Sequence, residues 1–128
     1  MPNWFRIKKS IFPLIVDRMS VLPRNFRSPV AVICHDAGAA NLIFAWLRNW
    51  VMLGLLDGHD FRLVLQGPAQ IAWHEQAMAL PNMQYHTAID TALRGANCAL
   101  TGTGWASTLE HDARNLAREQ KIPCVAVI

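Results

Sequence analysis

Two glycine-bearing junctions hold the residues whose types and spacing could do chemistry. The first, "CHDAGAAN" at 34–41, sets His35 beside Asp36 directly after a β-branched run. An imidazole next to a carboxylate can work as an acid/base pair, with Asp36 orienting His35 or itself accepting from a ligand. The same residues also have a purely structural use, with Asp36 capping the turn and His35 satisfied by a backbone carbonyl. Gly38, Ala39 and Ala40 keep the turn small, and Asn41 is suited to cap a following helix.

The second junction, "LTGTGWASTLE" at 100–110, carries Gly-x-Gly-x-x-Ser over 102–107. Gly102 and Gly104 have no Cβ to hold a ligand away from the main chain. Ser107 and Glu110 have the spacing of a capping box, which predicts a helix start with amide donors facing outward. Such a start attracts anions through those donors and the helix dipole. Thr101, Thr103 and Thr108 add hydroxyls suited to phosphate, sugar or carboxylate. A tight strand-to-helix corner with no ligand accounts for the same residues equally well.

Several chemistries are left without a motif. The third glycine of the dinucleotide fingerprint is replaced by Ser107, and no lysine follows the turn as in a P-loop. There is no HxxxH pair and no GxSxG elbow, so neither a metal hydrolase nor a serine esterase is indicated. His86, near the end of a predicted strand, is a further candidate for the same rim. No cofactor and no metal enter the expectation. Cys34, Cys98 and Cys124 lie in apolar runs without zinc spacing, which points to buried free thiols and a reducing, cytoplasmic setting.

The elements that must position these junctions alternate. Strands are expected at 30–35, 61–66, 83–88, 96–102 and 123–128. Helices are expected at 41–53, from 67 to the stop at Pro81, in a short turn capped by Asp90, and at 107–120. This alternation predicts a three-layer, Rossmann-like α/β fold: an open parallel sheet of about five strands with helices on both faces. With the first strand central, the two junctions become neighbours where the strand order reverses, the usual place for a ligand.

The chain has 128 residues, 52% of them apolar and 16% charged, enough for one domain with a real core. Its net charge of +3 is uneven. Residues 1–29 carry six basic groups against Asp17 alone, and the remainder carries six basic and eight acidic groups. The body is therefore no basic nucleic-acid surface. Residues 1–28 read as a basic arm or helix, with Trp4, Phe5, Ile7, Ile11 and Phe12 on an apolar side, and residues 29–128 as the α/β domain. The longest apolar stretch of the arm, "IFPLIV", is too short for a secretory signal, and nothing approaches a transmembrane segment.

The pair "CHDAGAANLI" and "TGTGWASTLEHDARNLAREQKIPCVAVI" resembles the N-terminal Rossmann-like half of bacterial sugar-processing proteins of glycosyltransferase-B architecture, which include the UDP-sugar 2-epimerases. The shared features are an Asp-x-Gly-x-Ala turn (Asp36, Gly38, Ala40) and a Gly-Thr-x-x-Trp turn (Gly102, Thr103, Trp105) before a Glu-bearing helix. The resemblance implies a domain that holds an acceptor, while a second half holds most of the nucleotide-sugar.

Two functional expectations follow. In one, the domain binds a small anionic or sugar ligand as a catalytically incomplete relative of these enzymes, with His35 and Asp36 as candidate catalytic residues. Gly38, Asn41, Thr101, Gly102, Thr103, Gly104, Ser107 and Thr108 are then the ligand-binding residues. In the other, it is an interaction module, a homodimer joined through the apolar helix 41–53 or the C-terminal strand edge. The fifth strand ends at Ile128, so its following loop is expected either in further chain or in a partner.

Overall fold

The computed structural model describes residues 4–7, 22 and 26–127. Among the described residues there are ten elements: β1 Trp4–Ile7, β2 Val30–Cys34, α1 Ala37–Met52, β3 Asp60–Leu65, α2 Gly67–Glu75, β4 Asn82–Tyr85, α3 Ile89–Leu93, β5 Cys98–Thr101, α4 Leu109–Glu119 and β6 Cys124–Val127. All pairings are parallel, and the strand order is β1-β6-β5-β2-β3-β4. The fold is therefore the expected open Rossmann-like sheet. Its five-stranded core is extended by β1, whose Trp4 to Ile7 run beside Cys124 to Val127. That pairing makes β6 an inner strand, so the C-terminal edge expected to join two copies is already covered within the chain.

β2 is buried at all five positions because both faces of the sheet are covered. Its side chains alternate between two cores. Val30, Val32 and Cys34 join Phe44, Trp46, Trp50, Phe61 and Trp73 under α1 and α2. Ala31 and Ile33 join Ala92, Leu93, Ala113 and Ala117 under α3 and α4. Large rings fill the first layer and small side chains the second, so α4 can lie close to the strand ends.

The apolar helix is sandwiched, with Leu42, Ile43, Phe44, Trp46, Leu47 and Trp50 all buried. It is not free to serve as a broad partner face. Phe26 packs edge-on against Trp50 at 5.0 Å, and Leu22 lies against the same core. The expected apolar side at Ile11 and Phe12 falls outside the described residues.

Several boundaries differ from expectation. α1 begins at Ala37, four residues before Asn41, because Asp36 Oδ2 accepts the Ala39 N–H at 2.8 Å and caps it first. α2 stops at Glu75, well before Pro81; the chain turns back through Ala77 at φ +48 and tucks Met78 and Leu80 into the core. Asp90 sits in the first turn of α3, whose N-cap is Ala88.

Candidate functional site

β2 and β5 are hydrogen-bonded neighbours, with Ile33 level with Thr101. The chain leaves the central strand β2 toward β3 and β4, then returns to its other side with β5 and β6. The strand order thus reverses between the two glycine junctions, and the sheet brings them together as the alternation predicted.

What joins them is Glu110. Its side chain is only 1% exposed. One carboxylate oxygen accepts the Gly104 N–H at 2.9 Å, and the other accepts the His35 N–H at 3.3 Å, across 75 residues of sequence. A carboxylate of this chain thus occupies the place where an external anion would meet the turn amides. The expected capping box does not form. Ser107 Oγ accepts from Leu109 N instead, the N-cap residue is Thr108, and Glu110 reaches across the rim rather than back along its own turn.

The glycines owe their identity to this packing. A Cβ on Gly102 would stand 2.1 Å from Glu110 Oε2 and 2.7 Å from the Ala39 Cβ. One on Gly104 would stand 2.6 Å from the Asp36 Cβ. Neither residue needs a left-handed backbone; both need the missing Cβ so that α1 and α4 can close on the turn. Arg114, one helical turn after Glu110, donates to the Gly102 carbonyl and secures the other side.

The remaining candidates separate into two groups. Thr101 is fully buried, its hydroxyl 3.9 Å from Cys124 Sγ, so it faces the sheet interior and not a ligand. Thr103 donates to the Val127 carbonyl at 2.6 Å and stitches the turn to β6. Asn41 lies within α1, where its side-chain carbonyl accepts from Gln76 and pins α1 to α2. On the accessible rim stand His35 and Asp36, both half-buried, with Gly38 exposed in the first turn of α1. Thr108 is exposed as well, and Trp105 is 95% exposed.

His35 and Asp36 do not hydrogen-bond to each other. The His35 ring lies against Gly67, where a Cβ would come within 2.7 Å of Nε2, and its carbonyl accepts from Ala69. Asp36 turns the other way, into the cap of α1. His86 stands two strands away at the end of β4, outside this group.

The Cys34 thiol lies directly beneath. Burial raises its pKa well above the ordinary value, the nearby Glu110 and Asp36 carboxylates add to the rise, and a hydrogen bond with the Gly102 backbone opposes it. Cys34 is thus a neutral core thiol and no nucleophile. Among the described residues no cluster of His, Cys, Asp and Glu could hold a metal ion, and no helix is long and apolar enough to cross a membrane.

Glu110 is marked in the sequence, but for a local role. Its capping-box spacing points to its own helix turn; nothing in the sequence names His35 as a partner.

Fold and rim together define an open parallel α/β domain of Rossmann-like type whose strand order reverses between β2 and β5. The chain matches no family model, no curated protein and no solved structure.

Proposed function

We propose that this domain binds a small sugar-, nucleotide-sugar- or phosphate-bearing ligand on the rim above β2 and β5, as a relative of sugar-processing enzymes of glycosyltransferase-B architecture. One observation carries the proposal: Trp105, a large apolar ring, is 95% exposed in the turn beside the point of strand reversal. A tryptophan left in water at that position is suited to stack on a sugar or a base. Because Glu110 already holds the Gly104 amide, the ligand sits outside the turn, against Trp105, Thr108 and the His35–Asp36 wall. Asp36 is engaged as a helix cap and His35 leans toward α2, so the proposal is one of binding, with no catalytic step assigned to either.

Thermal-shift screening with UDP-sugars, nucleotides and sugar phosphates tests it. At about 100 Kd a ligand adds roughly 2.7 kcal/mol of stability, and Trp105→Ala should abolish the shift without lowering the unliganded melting temperature. Absence of stabilisation by every class would end the proposal.

A second reading rests on Val51, Met52 and Leu53, which are exposed at the end of α1, Met52 at 85%. These side chains could seat a second copy of the chain. Light scattering at high concentration decides it, since a monomer leaves the patch without that role.

A further inference from the structure

At the carboxyl ends of β3 and β4, beyond the start of α2, lies a cleft of about 420 Å³. This falls within the roughly 300–1,000 Å³ typical of small-molecule pockets. Its walls include Gln66, Gln70 and Trp73 at the start of and along α2, and Tyr85, His86 and Thr87 at the end of β4. No lysine, arginine, aspartate or glutamate is among the described residues that line it. We propose that this cleft binds a neutral sugar ring, at a site separate from the strand-reversal rim.

The internal hydrogen bonds determine what the walls can offer. Trp73 is 1% exposed and held edge-on to Phe44 at 5.1 Å, so its indole is a fixed floor. Its Nε1–H can only donate, and it donates to Tyr85 Oη at 2.8 Å. The phenol oxygen is thereby used as an acceptor, and its own O–H remains to donate to a ligand. Tyr85 is 59% exposed on the outermost strand and presents an apolar ring face beside that donor.

His86 is set by the same proton counting. Thr91 Oγ1 gives its only proton to the Ala88 carbonyl at 3.0 Å, so toward His86 Nδ1, also at 3.0 Å, it can only accept. Nδ1 therefore carries a hydrogen, which leaves Nε2 to accept from a ligand hydroxyl whenever the ring holds that hydrogen alone. The cleft thus combines a fixed donor, an imidazole nitrogen, two adaptable carboxamides and an aromatic face. A polyhydroxylated ring has donors and acceptors at each carbon and apolar C–H edges, which this set complements. No lysine or arginine stands here to meet a phosphate or carboxylate, and the second lining imidazole, His74 on α2, adds a further partner for hydroxyls.

The test is an NMR titration of the full 128-residue chain with glucose, N-acetylglucosamine and uridine. The expected result is sugar-dependent shifts of the Tyr85 and His86 rings and the Gln70 side-chain amide. Tyr85→Phe, which keeps the ring face but loses the donor, and Thr91→Val, which releases the His86 tautomer, should each weaken sugar affinity about tenfold, one good hydrogen bond's worth. Both variants should keep the wild-type amide spectrum elsewhere. Three results would overturn the proposal: no shifts with either sugar, sugar affinity unchanged from the parent chain in both variants, or shifts with uridine alone. Sugar shifts confined to the amides of Gly104–Ser107 would also overturn it while supporting the strand-reversal rim, so the two sites fail separately.

Discussion

Glu110 Oε1 accepts the main-chain N–H of Gly104 at 2.9 Å, from a side chain that is almost wholly buried. The second oxygen of the same carboxylate holds the His35 N–H. One helix residue therefore satisfies a donor from each junction, and the rim is welded from within before any ligand arrives. A buried N–H without a partner is costly, so this carboxylate is structural whatever else the rim does.

Replacing it separates charge from shape. Glu110→Gln keeps the volume but can accept from only one of the two N–H groups, and its own NH₂ opposes the other. A loss of about 1–3 kcal/mol is expected from one orphaned donor, and about twice that for Glu110→Ala. Urea denaturation measures both. In Glu110→Ala the freed amides face an anion-sized space, so sulfate should restore part of the loss for that variant and have no comparable effect on the parent.

The two glycines should be intolerant for packing reasons. Gly102→Ala drives a methyl into Glu110 and Ala39, and Gly104→Ala drives one into Asp36. Each should cost about 1–3 kcal/mol by overpacking. In a double-mutant cycle, Gly102→Ala with Glu110→Ala should cost less than the sum of the two, since the deleted carboxylate makes room. Strict additivity would show that the clash is relieved by other means.

Asp36 has a cap's signature to display. Asp36→Ala should lose about 0.5–2 kcal/mol, while Asp36→Asn, an equally good cap, should stay within a few tenths. A catalytic or ligand-accepting carboxylate would show the opposite pattern, with Asn abolishing binding at unchanged stability. Urea midpoints and ligand titration on the same two variants separate these outcomes.

The buried thiols make stability fall at alkaline pH. Burial pushes Cys98 from 9.0 up to about 12 and Cys124 up to about 11; the bond with Thr101 and the charge of Arg114 partly offset the latter. Raised acid groups favour the folded state while protonated, so their contribution is complete below pH 9 and is lost as the pH climbs through 11–12. Above pH 9 the unfolded chain releases these protons first, and each thiol steepens the decline by about 1.4 kcal/mol per pH unit. Cys124→Ala should make the alkaline limb shallower by about one proton. An unchanged slope would show that this thiol ionises equally in both states.

The parallel α/β architecture was legible in the residues because each signal involved is short-ranged. β-branched runs such as Val30–Cys34 and the periodic stretch leading to Glu119 reveal their elements within a few positions. Once strands and helices alternate, topology places the ends of β2 and β5 together, and the neighbourhood of the two glycine turns follows.

Which atom each rim residue would serve was decided only by the tertiary structure. Asp36 and Asn41 are both competent caps, and the backbone of the incoming turn chose the first. Thr101 and Thr103 look alike in sequence, yet the pleat of β5 buries the first against Cys124 and the turn after that strand aims the second at Val127. Glu110 has a local partner at hand in its own helix turn, but the close seating of α4 over β2, allowed by the small side chains between them, offers it two better ones. Local propensity depends on neighbours in the chain. The direction of a side chain depends on strand register and helix rotation, which exist only once the whole sheet has formed.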